Sequence, residues 1–223
     1  MIKKYFLGFT IAELIVAMAV IGSVAALTLP MVMSNHQNKV LQITFQKAYR
    51  DLENNLEELH ANDYRKSFYQ SKLASDGGIS EFFENYYNVS QKCYDSPQPC
   101  FAVNYAKISD GTEEAFTCEN GKSAQMKDNT AICIIPTSPA QEAIEADPTT
   151  GQEAQEDKEA TPAKVYIDVN GNELPNIGGR DMFEFQIDKF SIEDTEDTAS
   201  CTTTTTGKGC LHRLINDNWK VKY

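Results

Sequence analysis

Apolar side chains form one almost unbroken run near the start of the chain, from Leu14 to Met33. The run follows a short segment that contains Thr10 and Glu13. About 20 consecutive apolar residues are enough to cross a bilayer as a helix. The pattern therefore predicts a membrane-spanning helix over residues 9–33.

Beyond Pro30 the pattern becomes amphipathic. Charged residues alternate with a regular set of apolar positions, namely Leu41, Phe45, Ala48, Leu52, Leu56 and Leu59. This spacing is typical of a helix with one buried face, so the same helix is expected to continue over residues 34–60 and to pack on a globular head. Proline lacks an N–H and clashes with the preceding turn, so Pro30 is expected to kink or loosen the helix.

Residues 61–223 contain the elements of that head. Aromatic residues between Ile79 and Tyr87 have roughly helical spacing, with Ser80 as a candidate N-cap. Asn120 and Gly121 form a strong signal for a two-residue hairpin turn. Short strands are predicted before and after this turn, at residues 101–108, 115–118, 122–126 and 130–135.

Further strands are expected later in the chain. Val165, Ile167 and Val169 alternate with other side chains, as in a strand. Near the C-terminus, two last strands are predicted around a turn at residues 216–218, with Trp219 packed on the sheet edge or against the long helix. The predicted fold class is therefore α+β, with a long N-terminal helix packed on a small antiparallel sheet.

Residues 137–163 differ in composition from the segments on either side. Pro, Ala, Glu, Thr and Gln predominate, and large apolar side chains are almost absent. Such a segment buries too little apolar surface to offset the entropy lost on ordering. We expect a disordered acidic insertion on the head, and a partner-binding segment is the alternative.

The net charge and the position of the first lysines bear on the partners and the membrane topology of the chain. A net charge of −12 offers no cationic surface for a phosphate backbone, so no nucleic acid is expected as a partner. Lys3 and Lys4 precede the membrane helix. The positive-inside rule keeps them in the cytoplasm and sends the C-terminal bulk of the chain across the membrane, into an oxidising compartment.

Cysteines support the same location. An even number of cysteines beyond a membrane segment predicts disulfides, and their spacing favours pairing between sequential neighbours. A zinc site is the rival interpretation, but the sequence contains no CxxC pair. The neighbouring pairs are Cys93 with Cys100, Cys118 with Cys133, and Cys201 with Cys210.

Glu13 is the one acid in the apolar helix, and it requires an explanation. A carboxylate within the hydrocarbon costs about 2.5–3.5 kcal/mol on insertion scales. If the chain were cut between Gly8 and Phe9, the new α-amino group would lie about one helical turn from Glu13. Between two chains offset along a common axis, the acid of one would meet the amine of the next. Charge neutralisation would then set the register between subunits.

These N-terminal features resemble the signal of type IV pilins and type II secretion pseudopilins, over residues 1 to about 60. The residues that carry the resemblance are Lys3, Lys4, Gly8, Phe9, Thr10, Glu13 and Pro30. It implies that a prepilin peptidase cleaves after Gly8 and methylates Phe9, so that residues 1–8 are a leader. It also implies that Glu13 pairs with the N-terminus of a neighbouring subunit, and that Pro30 lets the helix adapt in a filament.

The same resemblance implies partners and a location. The partners would be other copies or other pilin-like subunits, together with the peptidase and an inner-membrane assembly platform. The chain would be a single-pass inner-membrane protein with an extracytoplasmic head until it enters a periplasmic or extracellular filament. Many pilins close a C-terminal loop with a disulfide, which Cys201 and Cys210 match.

Oxygen ligands cluster around one predicted turn. They are Asp168, Asn170, Asn172 and Asp181, and hard oxygen donors are what Ca²⁺ prefers. The order of residues is not that of an EF-hand, but the stretch resembles a loop in which certain pseudopilins hold calcium. The alternative is that these side chains cap turns of their own backbone.

The sequence shows no catalytic constellation. His36, His60 and His212 have no nucleophile or paired acid at a recognisable spacing. We therefore expect a structural subunit that polymerises through its N-terminal helix, and not an enzyme. Two alternatives stay open: a membrane-anchored extracytoplasmic binding or adhesion protein that does not polymerise, and a soluble protein released by an ordinary signal peptidase near Ala26.

Overall fold

The computed structural model of the chain describes residues 10–63, 67–138 and 160–222. It divides the chain into two units, Met1–Val40 and Leu41–Tyr223, and we call the second the globular unit. In the described residues the helices are segregated from a run of eight antiparallel strands, with two α-helices before it and a third after it, so the fold is α+β. The predicted leader, residues 1–8, and Phe9 lie outside the described residues.

Helix α1 spans Ile11–Asn62, and its backbone stays helical through Pro30. The segment Ile11–Thr28 is long and apolar enough to cross a membrane, and none of it is buried within the structure. Length and composition therefore agree with the predicted membrane segment.

In the globular unit, α1 buries the apolar stripe that its sequence predicts. Phe45, Leu52, Leu56 and Leu59 are almost fully buried. The ring of Phe45 stacks on that of Phe183, with centroids 3.7 Å apart. The stripe thus joins α1 to the sheet in one hydrophobic core.

The main sheet has six antiparallel strands in the order β1-β4-β5-β6-β7-β8, and β2 pairs with β3 in a separate two-stranded sheet. Strands β6 and β7 form the longest pairing of the sheet, and both are largely buried on their two faces. The strand bounds are β1 Val89–Cys93, β2 Asn104–Ala106, β3 Glu113–Ala115, β4 Lys122–Met126, β5 Ala131–Ile135, β6 Ala163–Asp168, β7 Met182–Asp188 and β8 Ser191–Asp194.

The predicted hairpin at Asn120 and Gly121 is wrong, although both residues lie in a turn. Strand β3 ends at Ala115 and pairs with β2, whereas β4 pairs with β1 and β5. A Cβ on Gly121 would lie 2.6 Å from Cys118 Sγ and 2.7 Å from the Ile134 carbonyl oxygen. The glycine therefore permits a close approach of chain segments and does not join two paired strands. The predicted strand 101–108 is longer than β2, and the predicted strand 115–118 is displaced from β3.

Helix α2 of the globular unit begins at a cap that differs from the sequence-based expectation. Helix α2 spans Asp76–Tyr86, and its cap is Ser75, whose Oγ accepts a hydrogen bond from the Gly78 N–H at 3.1 Å. Ser80 instead donates to the Asp76 carbonyl oxygen. Three short 3₁₀ helices, Phe68–Gln70, Lys72–Ala74 and Thr198–Thr202, complete the helical elements of the described residues.

Helix α3, Cys210–Asn216, replaces the first of the two strands predicted near the C-terminus, and residues 219–221 form no strand. Its N-terminal turn is held by a residue far away in sequence, because Asp194 accepts hydrogen bonds from the N–H groups of Gly209 and His212. Trp219 does pack against the long helix, with its ring centroid 5.2 Å from that of Tyr49.

Both ends of the predicted insertion, residues 137–163, belong to the folded globular unit. Ser138 and Thr161 form an antiparallel bridge, with N–H to carbonyl distances of 3.1 and 2.9 Å. Thr137 is buried, and Ala163 already belongs to β6. The remaining part of the predicted insertion, 139–159, lies outside the described residues.

Candidate functional site

The first turn of α1 contains a reciprocal pair of hydrogen-bonding residues. The Thr10 N–H donates to Glu13 Oε2 at 2.9 Å, and the Thr10 hydroxyl donates to the same oxygen at 2.8 Å. In return, the Glu13 N–H donates to Thr10 Oγ1 at 3.2 Å. This is a capping box, in which two residues at the start of a helix satisfy each other's free groups. The T-x-x-E signature of this motif is present at residues 10–13, and it is the local signal for the pairing of Thr10 with Glu13.

The capping box changes what Glu13 needs from its surroundings. The acid is the third residue of α1, so its carboxylate lies at the positive end of the helix dipole. The pairing predicted between Glu13 and a Phe9 amine, and the cleavage predicted after Gly8, fall on residues outside the described range. They stay predictions.

The remainder of the segment Ile11–Thr28 presents apolar side chains around its circumference. The most exposed are Ile11, Val16, Met18, Ile21 and Leu27, at 63–80%. A contiguous apolar surface of this kind marks a membrane or protein contact. The segment is therefore a candidate surface for lipid or for other helices.

Three disulfides join the cysteines of the globular unit in sequential pairs. They are Cys93–Cys100, Cys118–Cys133 and Cys201–Cys210. A disulfide that closes a loop lowers the entropy of the unfolded chain, and it typically raises the free energy of unfolding by about 2–4 kcal/mol. The third disulfide lies in the main core and joins a 3₁₀ helix to α3.

Two of the four predicted calcium ligands come together in the globular unit. Asp168, at the end of β6, and Asp181, just before β7, are both fully buried. Burial raises the pKa of Asp168 well above its usual value, and the nearby Asp181 charge raises it further. Burial also raises the pKa of Asp181, to about 6. Two carboxylates buried close together repel each other when both are ionised, so the pair favours a state that keeps a proton.

Hydrogen bonds reach every oxygen of this carboxylate pair. Asp168 accepts from the Tyr105 hydroxyl on one oxygen and from the Asn170 N–H, at 3.0 Å, on the other. Asp181 accepts from the N–H groups of Asn176 and Ile177, both at 2.6 Å. The pair therefore fixes the turn between β6 and β7, as the turn-capping interpretation expects.

The other two predicted ligands differ in their surroundings. The Asn170 amide nitrogen donates to the carbonyl oxygens of Glu173 and Leu174, at 2.7 and 3.0 Å. Its Oδ1 is buried and has no hydrogen-bond partner among the described residues. Asn172 is exposed on the turn. The arrangement accounts for the turn without a metal ion, and the Asn170 oxygen is the feature that fits calcium.

The described residues contain no group of three or more His, Cys, Asp or Glu side chains arranged to hold a metal ion. His60 stacks on Phe190, with ring centroids 4.5 Å apart, and His212 is exposed on α3. Neither lies in an arrangement suited to acid–base chemistry.

No family model, no curated protein and no solved structure matches this chain.

Proposed function

We propose that the chain is a pilin-like structural subunit that polymerises through its N-terminal helix into a type IV pilus or a type II secretion pseudopilus. The observation that carries the proposal is the start of α1. There an apolar segment, Ile11–Thr28, with no buried residues begins at a capping box that contains its one acid. A helix of this kind suits both a bilayer and a bundle of identical helices.

Apolar packing alone would not select the bundle over the bilayer. Lipid tails are as apolar as leucine side chains, so helix association in a membrane depends on close packing and polar contacts. Glu13 is the residue of this segment that can supply a strong polar contact. It therefore becomes the natural determinant of register between subunits.

The geometry of Glu13 leaves room for such a contact. Both hydrogen bonds from Thr10 end on Oε2. Within the part of the chain that is described, Oε1 accepts none. A carboxylate oxygen at the helix N-terminus is thus left for a cation, and the Phe9 amine of a neighbouring subunit is the one that the proposal assigns to it.

The globular unit fits the same role. It buries the α1 stripe in one core and holds three disulfides, as expected for a domain exposed to an oxidising compartment. In the proposal the subunit resides in the inner membrane before it is assembled into a periplasmic or extracellular filament.

The mass of the N-terminal peptide of the mature protein, isolated from its native host, tests the proposal. We expect a chain that begins at Phe9 and carries one added methyl group. A chain that begins near Ala26 or Leu27 has lost Glu13, and it would make this a soluble exported protein.

A second candidate function is a membrane-anchored binding protein that does not polymerise. A surface pocket of about 400 Å³ in the globular unit supports it, because a pocket of this size can hold a small molecule. Mechanical shearing of cells separates the two candidates. A filament subunit is released in assemblies, whereas an anchored monomer stays in the membrane fraction.

A further inference from the structure

We propose that the globular unit binds a small neutral saccharide in a pocket between α1, the end of α2 and the turn that joins β4 to β5. The pocket has a volume of about 400 Å³. Sites for small molecules occupy roughly 300–1,000 Å³, so the size suits a mono- or disaccharide better than a long chain. The inference does not rest on the proposed filament function.

Three contacts hold the walls of the pocket in place. An ion pair of 2.6 Å between Lys47 and Asp128 joins α1 to the β4–β5 turn. The Lys127 N–H donates to the Asn88 carbonyl oxygen at 3.1 Å and joins that turn to the end of α2. Asn62 on α1 donates to the Tyr86 hydroxyl at 3.1 Å. A site that is already formed loses little entropy when a ligand binds.

The charges around the pocket balance. Two lysines, Lys47 and Lys127, and two aspartates, Asp51 and Asp128, line it. Lys47 and Asp128 already neutralise each other. An ion of either sign therefore meets no net opposite charge, and the site favours a neutral ligand.

The remaining side chains suit a ligand with many hydroxyl groups. Asn54, Asn55 and Asn88 present planar amides, each with donors and an acceptor, beside the Asp51 carboxylate. Planar groups of this type can bind two adjacent hydroxyls of a sugar at once. Most polar groups of the lining are therefore matched to hydroxyls and not to an apolar surface.

Two tyrosine rings supply the apolar part of the site. Tyr86 and Tyr87 are half-buried at the end of α2. Phe82 packs against both rings, with centroid distances of 5.1 Å to Tyr86 and 5.8 Å to Tyr87. The Tyr87 hydroxyl oxygen has almost no exposed surface and the Tyr86 hydroxyl accepts from Asn62, so the rings offer mainly their faces, which suit C–H groups. A saccharide ring presents C–H groups as well as hydroxyls.

Titration of the purified full chain with single sugars tests the proposal. The protein is kept in a zwitterionic detergent, because many detergents carry sugar head groups that would compete. The probes are galactose, N-acetylglucosamine, lactose and maltose, and glucuronate serves as a charged sugar. Saturation-transfer NMR and calorimetry report binding. We expect saturable binding of at least one neutral probe and weaker binding of glucuronate.

Variants show whether the pocket is responsible. Asn54→Ala and Asn88→Ala each change an exposed residue of the lining, so both should fold normally. Each is expected to weaken binding by about fivefold or more, the effect of losing one hydrogen bond. Asn216→Ala, on an exposed position of α3, is the matched control and should bind as the unmodified chain does.

Three results would overturn the proposal. The first is that no neutral probe binds. The second is that both pocket variants bind as tightly as the control variant while thermal unfolding shows all of them folded. The third is that glucuronate binds as well as the neutral sugars, because balanced charges would then not select the ligand.

Discussion

Thr10 and Glu13 satisfy each other's hydrogen-bonding groups at the first turn of α1, through three contacts of 2.8–3.2 Å. The acid in the apolar segment is therefore not an isolated charge even in a single chain. In the proposed membrane helix, part of the polar surface of Glu13 is satisfied within the chain, and Oε1 is left for the proposed partner subunit. Both residues thus bear on the proposed assembly, although only Glu13 carries charge.

Replacing Glu13 with Ala separates insertion from assembly. We expect Glu13→Ala to reach the membrane fraction in normal amounts, because the apolar segment is unchanged. Its share in sheared filaments should fall strongly, because the proposed polar contact between subunits is lost. Quantitative immunoblots of membrane and sheared fractions measure both. Glu58→Ala, at an exposed position of α1, is the control, and normal filaments from Glu13→Ala would contradict the role in register.

Replacing Thr10 tests the capping box itself. Thr10→Val removes the hydroxyl, and loss of an N-cap typically costs about 0.5–2 kcal/mol of helix stability. Hydrogen exchange of the Glu13 amide, measured by NMR on the chain in detergent micelles, should become roughly fivefold faster, as expected for about 1 kcal/mol. Thr10→Ser keeps the cap and should exchange like the unmodified chain. Equal exchange in Thr10→Val and Thr10→Ser would rule out a stabilising cap.

Local sequence patterns predicted the elements that depend on neighbouring residues. The stripe that contains Phe45 and Leu52 has a helical period, and both residues are buried as the period requires. The alternation at Val165 and Ile167 likewise predicted β6. In each case the pattern repeats within a few residues, so the segment itself carries the information.

Elements that depend on distant residues were predicted poorly. Helix α3 is only seven residues long, and its first turn is held by Asp194, which local patterns cannot reveal. The Asp168 partner Tyr105 is 63 residues away in sequence. The site prediction therefore found Asp168 and Asp181 as a cluster but not the hydroxyl that binds one of them.

The carboxylate pair predicts an unusual dependence of stability on pH. Burial raises the pKa values of Asp168 and Asp181 above their unfolded values. The folded chain thus binds more protons than the unfolded chain between the ordinary value, 3.8, and about 6 or higher. Stability should therefore fall as pH rises through this window. We expect a lower melting temperature at pH 7 than at pH 5.

Asp168→Asn is the matching variant for the pH measurement. It removes one of the two like charges, so the difference in melting temperature between pH 5 and pH 7 should shrink. A variant with the full difference would show that other groups cause it. Millimolar calcium at pH 7 adds a second comparison, because only a metal site would gain stability from the ion.

Tyr105→Phe removes the hydroxyl that donates to Asp168 and accepts from the Ala102 N–H. Both groups are buried, and leaving them unpaired should destabilise the globular unit by about 1–3 kcal/mol. Chemical denaturation followed by fluorescence measures the change. Tyr69→Phe is the control, because its hydroxyl makes one longer contact, of 3.4 Å to Asp188, and a smaller effect is expected. Equal effects would show that the hydrogen bond to Asp168 has no special weight.

Asp194→Ala tests whether a residue of β8 decides that the C-terminal segment is helical. Its carboxylate accepts from the Gly209 N–H at 2.8 Å and from the His212 N–H at 2.9 Å. Loss of both should cost about 1–3 kcal/mol in chemical denaturation with the disulfides intact, and should release the amides at the start of α3 to exchange. Glu193→Ala alters the exposed neighbour on the same strand and should change neither measurement. If the two variants behave alike, the Cys201–Cys210 disulfide and the core contacts of Leu211 and Leu214 are sufficient to hold α3.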